Sequence, residues 1–421
     1  TSVKLWWFLR CCADLILLWA EESRNLPVGL TDIVIGSCQL TPNDFSQFVN
    51  LVQRSPAASK MTTFDFSRIV LPNFPFQDLT RFCTITTNLE TLFIRGIDVD
   101  GTRLFRAICK AQSPVKSIHL THLQYRSAFK LDDTRLPPTL LQIDVSNSAF
   151  TSSALNSLLV FLTAYPQQIP FVFQAASLAV KSEYYQAMSE IKFDQCQPNI
   201  CEFDWSYNTC PADTTRFLFA FIFTQKRLRL LSMNGIQTDN ATTFMQYIIQ
   251  LSQPLNLAGL NIASCSFEPQ LFAQFLQALA NVKSLRHLDV SNSKSGDQGL
   301  AALDLVVKSI PSLNELVADG FRPTNPAAIC AVWNDISLCP DLKAVDLPVE
   351  DMRNIGMQPH RLDQQTQKAF ATLKAKSRPS TFDHRVYVTI KDMKEGRQAE
   401  FSPEIFSRAA SVAFKVKIQE T

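Results

Sequence analysis

The sequence predicts an α/β solenoid, a curved horseshoe with parallel strands on its concave face and helices on its convex face, built from about twelve copies of one strand-loop-helix unit. Three observations predict it. An apolar-x-x-apolar-x-apolar segment recurs from Leu30 to Glu350 at a mean spacing of about 28 residues. Between recurrences lie stretches whose apolar residues stand three and four apart, the period of a half-buried helix. Gly is scarce (11) and Phe abundant (31) in 421 residues, which leaves much apolar surface to bury and little material for a Gly-rich phosphate loop.

The elements follow in chain order. Val3–Ala20 (VKLWWFLRCCADLILLWA) is interrupted by Arg10 and Asp14, whereas a membrane span takes roughly 20 nearly uncharged residues. It is expected as a buried amphipathic helix inside a cap or partial repeat over residues 1–29. The twelve units of the array, residues 30–350, start at Leu30, Met61, Leu89, Val115, Leu140, Ile169, Ile200, Leu228, Leu257, Leu285, Leu313 and Leu342. In each, the first, fourth, sixth and ninth positions are the core, as in Leu257/Leu260/Ile262/Cys265. Helices are predicted at Asn43–Ser55, Ser153–Tyr165, Thr214–Phe223, Asn240–Ser252, Pro269–Val282 and Gly296–Ile310, with Thr41, Asp239 and Asp297 near their starts and Pro42, Pro211 and Pro269 in first-turn positions.

Residues 351–421 carry no repeat. A helix at Gln364–Ala375, an alternating strand at His384–Met393 and an amphipathic segment after Pro403 are expected there. Together they read as a terminal cap, with a docking or dimerisation module as the alternative. This segment carries a net charge of +5 and the first 350 residues −3, so the overall +2 is a cancellation. The small basic run Lys374, Lys376 and Arg378 belongs to it.

The near-neutral charge excludes a dominating polybasic arm, and no nucleic-acid partner is expected. Eleven cysteines without a Cys-x-x-Cys read as buried thiols of a reduced, cytoplasmic protein. The five histidines include His119-x-x-His122, but no third ligand completes a metal set. No P-loop, Gly-x-Ser-x-Gly or Gly-x-Gly-x-x-Gly occurs. Hence no enzyme activity, cofactor or metal is expected, and membrane contact is not expected either.

Binding is where the pattern points. Side chains alternate along a strand, so the third, fifth and seventh positions of each unit face the concavity. The acidic residues there are Asp32, Asp65, Asp144, Glu202, Asp204, Asp289, Glu315, Asp319 and Asp346, against Arg95, His119 and His287. An acidic floor of this kind would take a protein partner with a basic surface. The second positions lean basic, through Lys116, Arg229, Arg286 and Lys343 against Glu90. Phe93, Val34 and Val317 are apolar candidates on the same face. Phe171 and Phe173 are candidates too, unless Gln174, sitting at a core position, marks a register shift that buries them.

The repeated strand-loop-helix arrangement resembles the ribonuclease-inhibitor-type leucine-rich-repeat family over Leu30 to Glu350, and its units of about 28 residues and LRHLDVSNSKSGDQGLAAL segment (Leu285–Leu303) bear on the narrower likeness within that family. Within it, the long unbroken array looks most like the CARMIL-type regulators of actin capping protein. That resemblance implies a cytoplasmic, cytoskeleton-associated scaffold bearing on actin assembly. In those proteins a pleckstrin-homology-like domain precedes the array and a dimerisation segment and proline-rich tail follow it, and none of these is visible here. A Ran-type GTPase-activating protein and a ligand-recognition receptor fragment remain as alternatives. Oligomeric state is left open.

Overall fold

A computed structural model describes residues 3–7, 30–36, 38–130, 134–339, 341–345, 349–356 and the short pieces 364, 367–369, 371–372, 400–401 and 416–417. The chain divides into two compact units, Thr1–Phe203 and Asp204–Thr421. Both are α/β, with parallel strands alternating with helices in the leucine-rich-repeat manner.

The first unit begins with a correction. Val3–Trp7 is a β-strand, β1, and not the start of a helix. It pairs in parallel with β2 (Leu30–Gly36), matching Leu5 to Ile33 and Trp7 to Ile35. VKLWW is rich in strand-favouring residues, and the neighbouring strand supplies the backbone partners that a helix would have forgone. The next elements are α1 (Pro42–Arg54), β3 (Thr63–Ser67), α2 (Phe76–Ile85), β4 (Thr91–Arg95), α3 (Gly101–Lys110), β5 (Ser117–Thr121) and a short β6 (Gln124–Tyr125). Then come β7 (Gln142–Asp144), β8 (Ala149–Phe150), α4 (Ser152–Thr163), β9 (Phe171–Gln174), α5 (Ser182–Met188) and β10 (Ile200–Asp204). The sheet runs β1-β2-β3-β4-β5-β7-β9-β10.

The sequence accounts for α1 closely. Thr41 accepts from the Asp44 N–H while Asp44 accepts from the Thr41 N–H, a full capping box, and Pro42 occupies the first turn. Its buried face, Phe45, Phe48, Val49 and Val52, meets β3 and α2 through an aromatic cluster in which Phe64 and Phe82 lie 4.5 Å apart. Each buried Phe contributes about 1.5–3 kcal/mol, which explains the Phe-rich composition. The unit between β5 and β7 departs from the expectation of a helix per repeat: its described residues form only β6 and loop. Pro137 and Pro138 interrupt helical hydrogen bonding there, and Tyr125 stacks on Phe150 at 4.1 Å to fill the layer.

The sixth repeat carries the register shift. Gln142 pairs with Val172, Ile143 with Phe173 and Asp144 with Gln174, so the repeat starts at Pro170, not Ile169. Phe171 and Phe173 are fully buried, and Ile169 is 50% exposed. Burying two aromatic rings outweighs keeping one Ile in phase.

In the second unit the elements are α6 (Ala212–Thr224), β11 (Leu230–Ser232), α7 (Ala241–Ser252), β12 (Gly259–Asn261), α8 (Pro269–Leu279), β13 (His287–Asp289), α9 (Gly296–Ser309), β14 (Glu315–Val317), α10 (Pro326–Leu338), β15 (Ala344–Val345) and α11 (Val349–Asn354). The register aligns Leu231, Leu260, Leu288, Leu316 and Val345 into one buried ladder. A two-stranded antiparallel pair, β16 (Glu400–Phe401) with β17 (Val416–Lys417), lies in the C-terminal segment. Residues 364, 367–369 and 371–372 are helical. The expected strand at His384–Met393 and the run Lys374, Lys376, Arg378 lie outside the described residues.

Two of the expected caps work across repeats. Asp239 accepts the Ala212 N–H at 2.7 Å, capping the preceding helix α6, while Asn240 caps α7. Asp297 accepts from the Thr324 hydroxyl and the Thr324 and Asn325 N–H groups of the following repeat. Pro211 is the residue before the first turn of α6.

One repeat feature was not read from the sequence. The eighth position turns the chain through left-handed backbone in unit after unit, at Arg68, Gly96, His122, Asn147, Ser177, Tyr207, Gly235, Ser264, Asn292 and Gly320. At eight of these, from Arg68 to Asn292 but not at Ser177 or Gly320, the N–H then donates to the seventh-position carbonyl of the next repeat, as Arg68 does to Arg95 and Asn292 to Asp319, each at 2.7 Å. Ser177, with φ +56°, falls at the eighth position only with the shifted start at Pro170. At Gly320 (φ +86°) a Cβ would lie 2.9 Å from the Asn292 Cα, so this position needs glycine.

Candidate functional site

Core positions point to the helices, so the third, fifth and seventh positions form the opposite, open face of each sheet. In the first unit the register makes the fifth positions one row: Val34, Asp65, Phe93, His119, Asp144 and Gln174. Beside it runs the third-position row of Asp32, Thr63, Thr91, Ser117, Gln142 and Val172.

Six of the predicted residues meet partners on this face. Phe93 stacks on His119 with ring centroids 4.4 Å apart, and the Arg95 guanidinium lies over the other partner of that stack, 4.3 Å from the Phe93 centroid. Arg95 also approaches the Asp65 carboxylate at 4.0 Å, and the Ser67 hydroxyl donates to Asp65. His119 Nδ1 lies 3.3 Å from Asp144 Oδ2, and its Nε2 lies 2.9 Å from Ser117 Oγ. Ser117 reaches the Gln142 amide at 3.2 Å, and Gln142 reaches Gln174 at 2.8 Å. Asp32 accepts the Thr31 hydroxyl at 2.9 Å.

Packing this dense changes what the residues offer. Phe93 is 3% exposed and His119 4%, so the expected exposed aromatic is a buried platform beneath Arg95. Asp65 is buried as well. Burial pushes its carboxyl above the usual carboxylate range, against the opposing pull of Arg95, Ser67 and His119. Asp144 goes the other way. Burial pushes it up, but the His119 hydrogen bond and charge and the Ser146 N–H prevail and hold it below that range. In the turn beyond β5, His122 is driven down, first by burial and then by Arg68 and Arg95.

Glu202, half-buried, closes the first unit's share of predicted residues. In the second unit the acidic residues serve the backbone. Asp204 accepts the Ser206 N–H at 2.9 Å and Asp289 the Ser291 N–H at 3.0 Å, and both are buried. Asn261 accepts the Ala263 N–H at 3.2 Å in the same way. This fifth-to-seventh bond closes the strand end, which is one reason the repeat favours Asp and Asn there. His287 Nδ1 approaches Glu315 at 3.2 Å. Val317 is buried and offers no apolar contact. Asp346 lies outside the described residues.

Asp319 and Asp351 form a reciprocal clamp. Asp319 accepts the N–H groups of Gly320, Glu350 and Asp351, while Asp351 accepts those of Gly320, Phe321 and Arg322. Burial pushes Asp319 up to about 6. The clamp caps the first turn of α11.

Several of the predicted acidic residues are therefore engaged within the molecule, by Arg95, His119, His287 and backbone N–H groups. Asp32, Asp144, Glu202, Glu315 and Asp319 keep partial exposure. Sequence reading missed Ser117, Gln142 and Gln174, which carry no charge. Their place at third and fifth positions was the signal that could have found them.

Among the described residues no group of three or more His, Cys, Asp or Glu could hold a metal ion, and the cysteines are free thiols. Burial pushes Cys83 and Cys265 up to about 12, which makes them poor nucleophiles and ligands. No helix of the described residues is long and apolar enough to cross a membrane.

No protein-family model and no curated protein matches the chain. Solved structures do. The leucine-rich repeat-containing protein LegL7 from Legionella pneumophila is 11% identical over 90% of this chain and 99% of its own, with a TM-score of 0.41. A chain of the octameric complex of Latrophilin 3, Unc5D and FLRT2 (LRR) is 15% identical over 82% of this chain and 92% of its own, with a TM-score of 0.40. The fold assignment rests on the repeat geometry of the chain itself.

Proposed function

We propose that the chain is a cytoplasmic protein-interaction scaffold whose open sheet face receives a partner with a basic surface, and that its partner belongs to the actin-assembly machinery. One observation carries the binding reading. The face of the first unit is pre-ordered, its Arg95, Phe93, His119 and Asp144 side chains locked to one another across three strands. A face already fixed loses little side-chain entropy on association. The half-exposed carboxylates Asp32 and Glu202 flank this locked centre and give the basic complement its attraction. The actin-related partner follows from the resemblance to the CARMIL-type regulators.

Purified actin capping protein tests both parts, with Ran GTPase as the rival probe, by biolayer interferometry on the full chain at 50 and 300 mM salt. Binding of capping protein that weakens with salt, and weakens about tenfold in Asp32→Asn/Glu202→Asn, supports the proposal. Salt-insensitive binding that the double variant leaves unchanged removes the basic-partner reading. Binding of Ran alone, or of neither probe, removes the actin assignment.

A further inference from the structure

Ser117, His119 and Asp144 are arranged as a hydroxyl, a base and an orienting carboxylate. Ser117 Oγ lies 2.9 Å from His119 Nε2, and His119 Nδ1 lies 3.3 Å from Asp144 Oδ2. This is the order by which a serine is made nucleophilic. Two adjacent strands set it. Ser117 and His119 are two residues apart on β5 and share a face, and Asp144 stands opposite His119 in the register with β7. The imidazole is held flat against Phe93. The other oxygen of Asp144 is fixed by the Ser146 N–H at 2.9 Å.

Proton accounting separates two states. The Ser117 oxygen has one proton, yet it lies within reach of both His119 Nε2 and the Gln142 amide. With His119 neutral, Nδ1–H donates to Asp144, Nε2 takes the Ser117 proton, and the Gln142 amide turns its NH2 toward Ser117. Gln174 then donates in turn to Gln142, so the chain stays satisfied. With His119 protonated, Nε2–H donates to Ser117, which donates to the Gln142 oxygen, and the hydroxyl is no longer activated. The charged groups around His119 are Arg95 on the adjacent β4, Asp65 one strand further on β3, and Asp144 on β7, with His122 in the turn beyond and Arg68 near it.

We infer that Ser117 is a nucleophile, activated by His119 and Asp144, toward carboxylic esters that reach the open sheet face. Ser117 Oγ bonds to the acyl carbon as its proton passes to His119 Nε2. The carbon–oxygen bond to the alcohol breaks, and the alcohol leaves with the proton from His119. Water then repeats the sequence on the acyl-serine, releasing the carboxylic acid and restoring the hydroxyl. No electrons are exchanged with an outside reagent.

An alkyl fluorophosphonate tests this on the full chain, read by intact mass and peptide mapping. The Oγ–P bond forms, the P–F bond breaks, fluoride leaves and the serine proton passes through His119 to water. One adduct is expected, on Ser117, with a rate that rises with pH as His119 loses its proton and then levels off. His119→Gln is expected to slow labelling by about 100-fold, and Ser117→Ala to abolish it, with an unchanged circular dichroism spectrum reporting that both variants fold. Labelling of Ser117 no faster than of the exposed Ser153, or a rate indifferent to pH and to His119→Gln, overturns the inference.

Discussion

His119 shows how much one side chain depends on residues far away in sequence. Its ring touches Phe93 on β4, Ser117 on its own strand and Asp144 on β7. Asp144 in turn is held below the ordinary carboxylate range, because its partners favour the anion more than burial disfavours it. A depressed value means that the stabilisation is present above the unfolded-chain value of 3.8 and is lost as pH falls through the lower folded value. Asp144→Asn is therefore expected to cost about 1–3 kcal/mol near neutrality, and the gap to wild type should close in strong acid. Urea midpoints at pH 7 and pH 3 check this. A gap that does not change between them would assign the loss to packing instead.

At the scale of the element, the short helix α11 depends on the Asp319–Asp351 clamp and not on its own length, since six residues are too few to hold a helix alone. Asp319 is raised to about 6 from 3.8. A raised carboxylate gives its stabilisation fully below the unfolded value and loses it as pH climbs through the folded one. Between pH 4 and pH 7 the second unit is therefore expected to lose about 1–3 kcal/mol on this account. Asp319→Asn should flatten that descending step in a plot of unfolding free energy against pH. A step of the same height in the variant would transfer it to Asp351, which burial also raises. The elements differ in how far the sequence foretold them. Thr41 and Pro42 mark the start of α1 because a cap is local chemistry. Asp239 and Asp297 stand at the starts of α7 and α9 as expected, but each spends its carboxylate on N–H groups of a neighbouring repeat.

At the scale of the molecule, repeats stack on neighbours, so stability is distributed rather than concentrated in one core. Leu260 sits at the centre of the second unit's buried ladder, paired on both sides with Leu231 and Leu288. Leu260→Ala is expected to cost about 2–5 kcal/mol. Faster amide exchange should appear first in β11, β12 and β13, where its contacts lie. Uniform acceleration through every strand would instead indicate one cooperative unfolding unit.

The sequence by itself determined the solenoid, the phase of most repeats and the residues that face outward, because a period of apolar positions is a property of the chain. It placed Asp32, Asp65, Phe93, Arg95, His119 and Asp144 on one face correctly. Tertiary structure decided what that face is. Only pairing between strands could bring Ser117 and His119 to Asp144 and stack Phe93 on His119, and only packing could bury Asp65, Asp204 and Asp289. Only packing could slip the sixth repeat by one residue, since the cost of exposing Phe171 and Phe173 is set by the neighbouring layers and not by the segment that carries them.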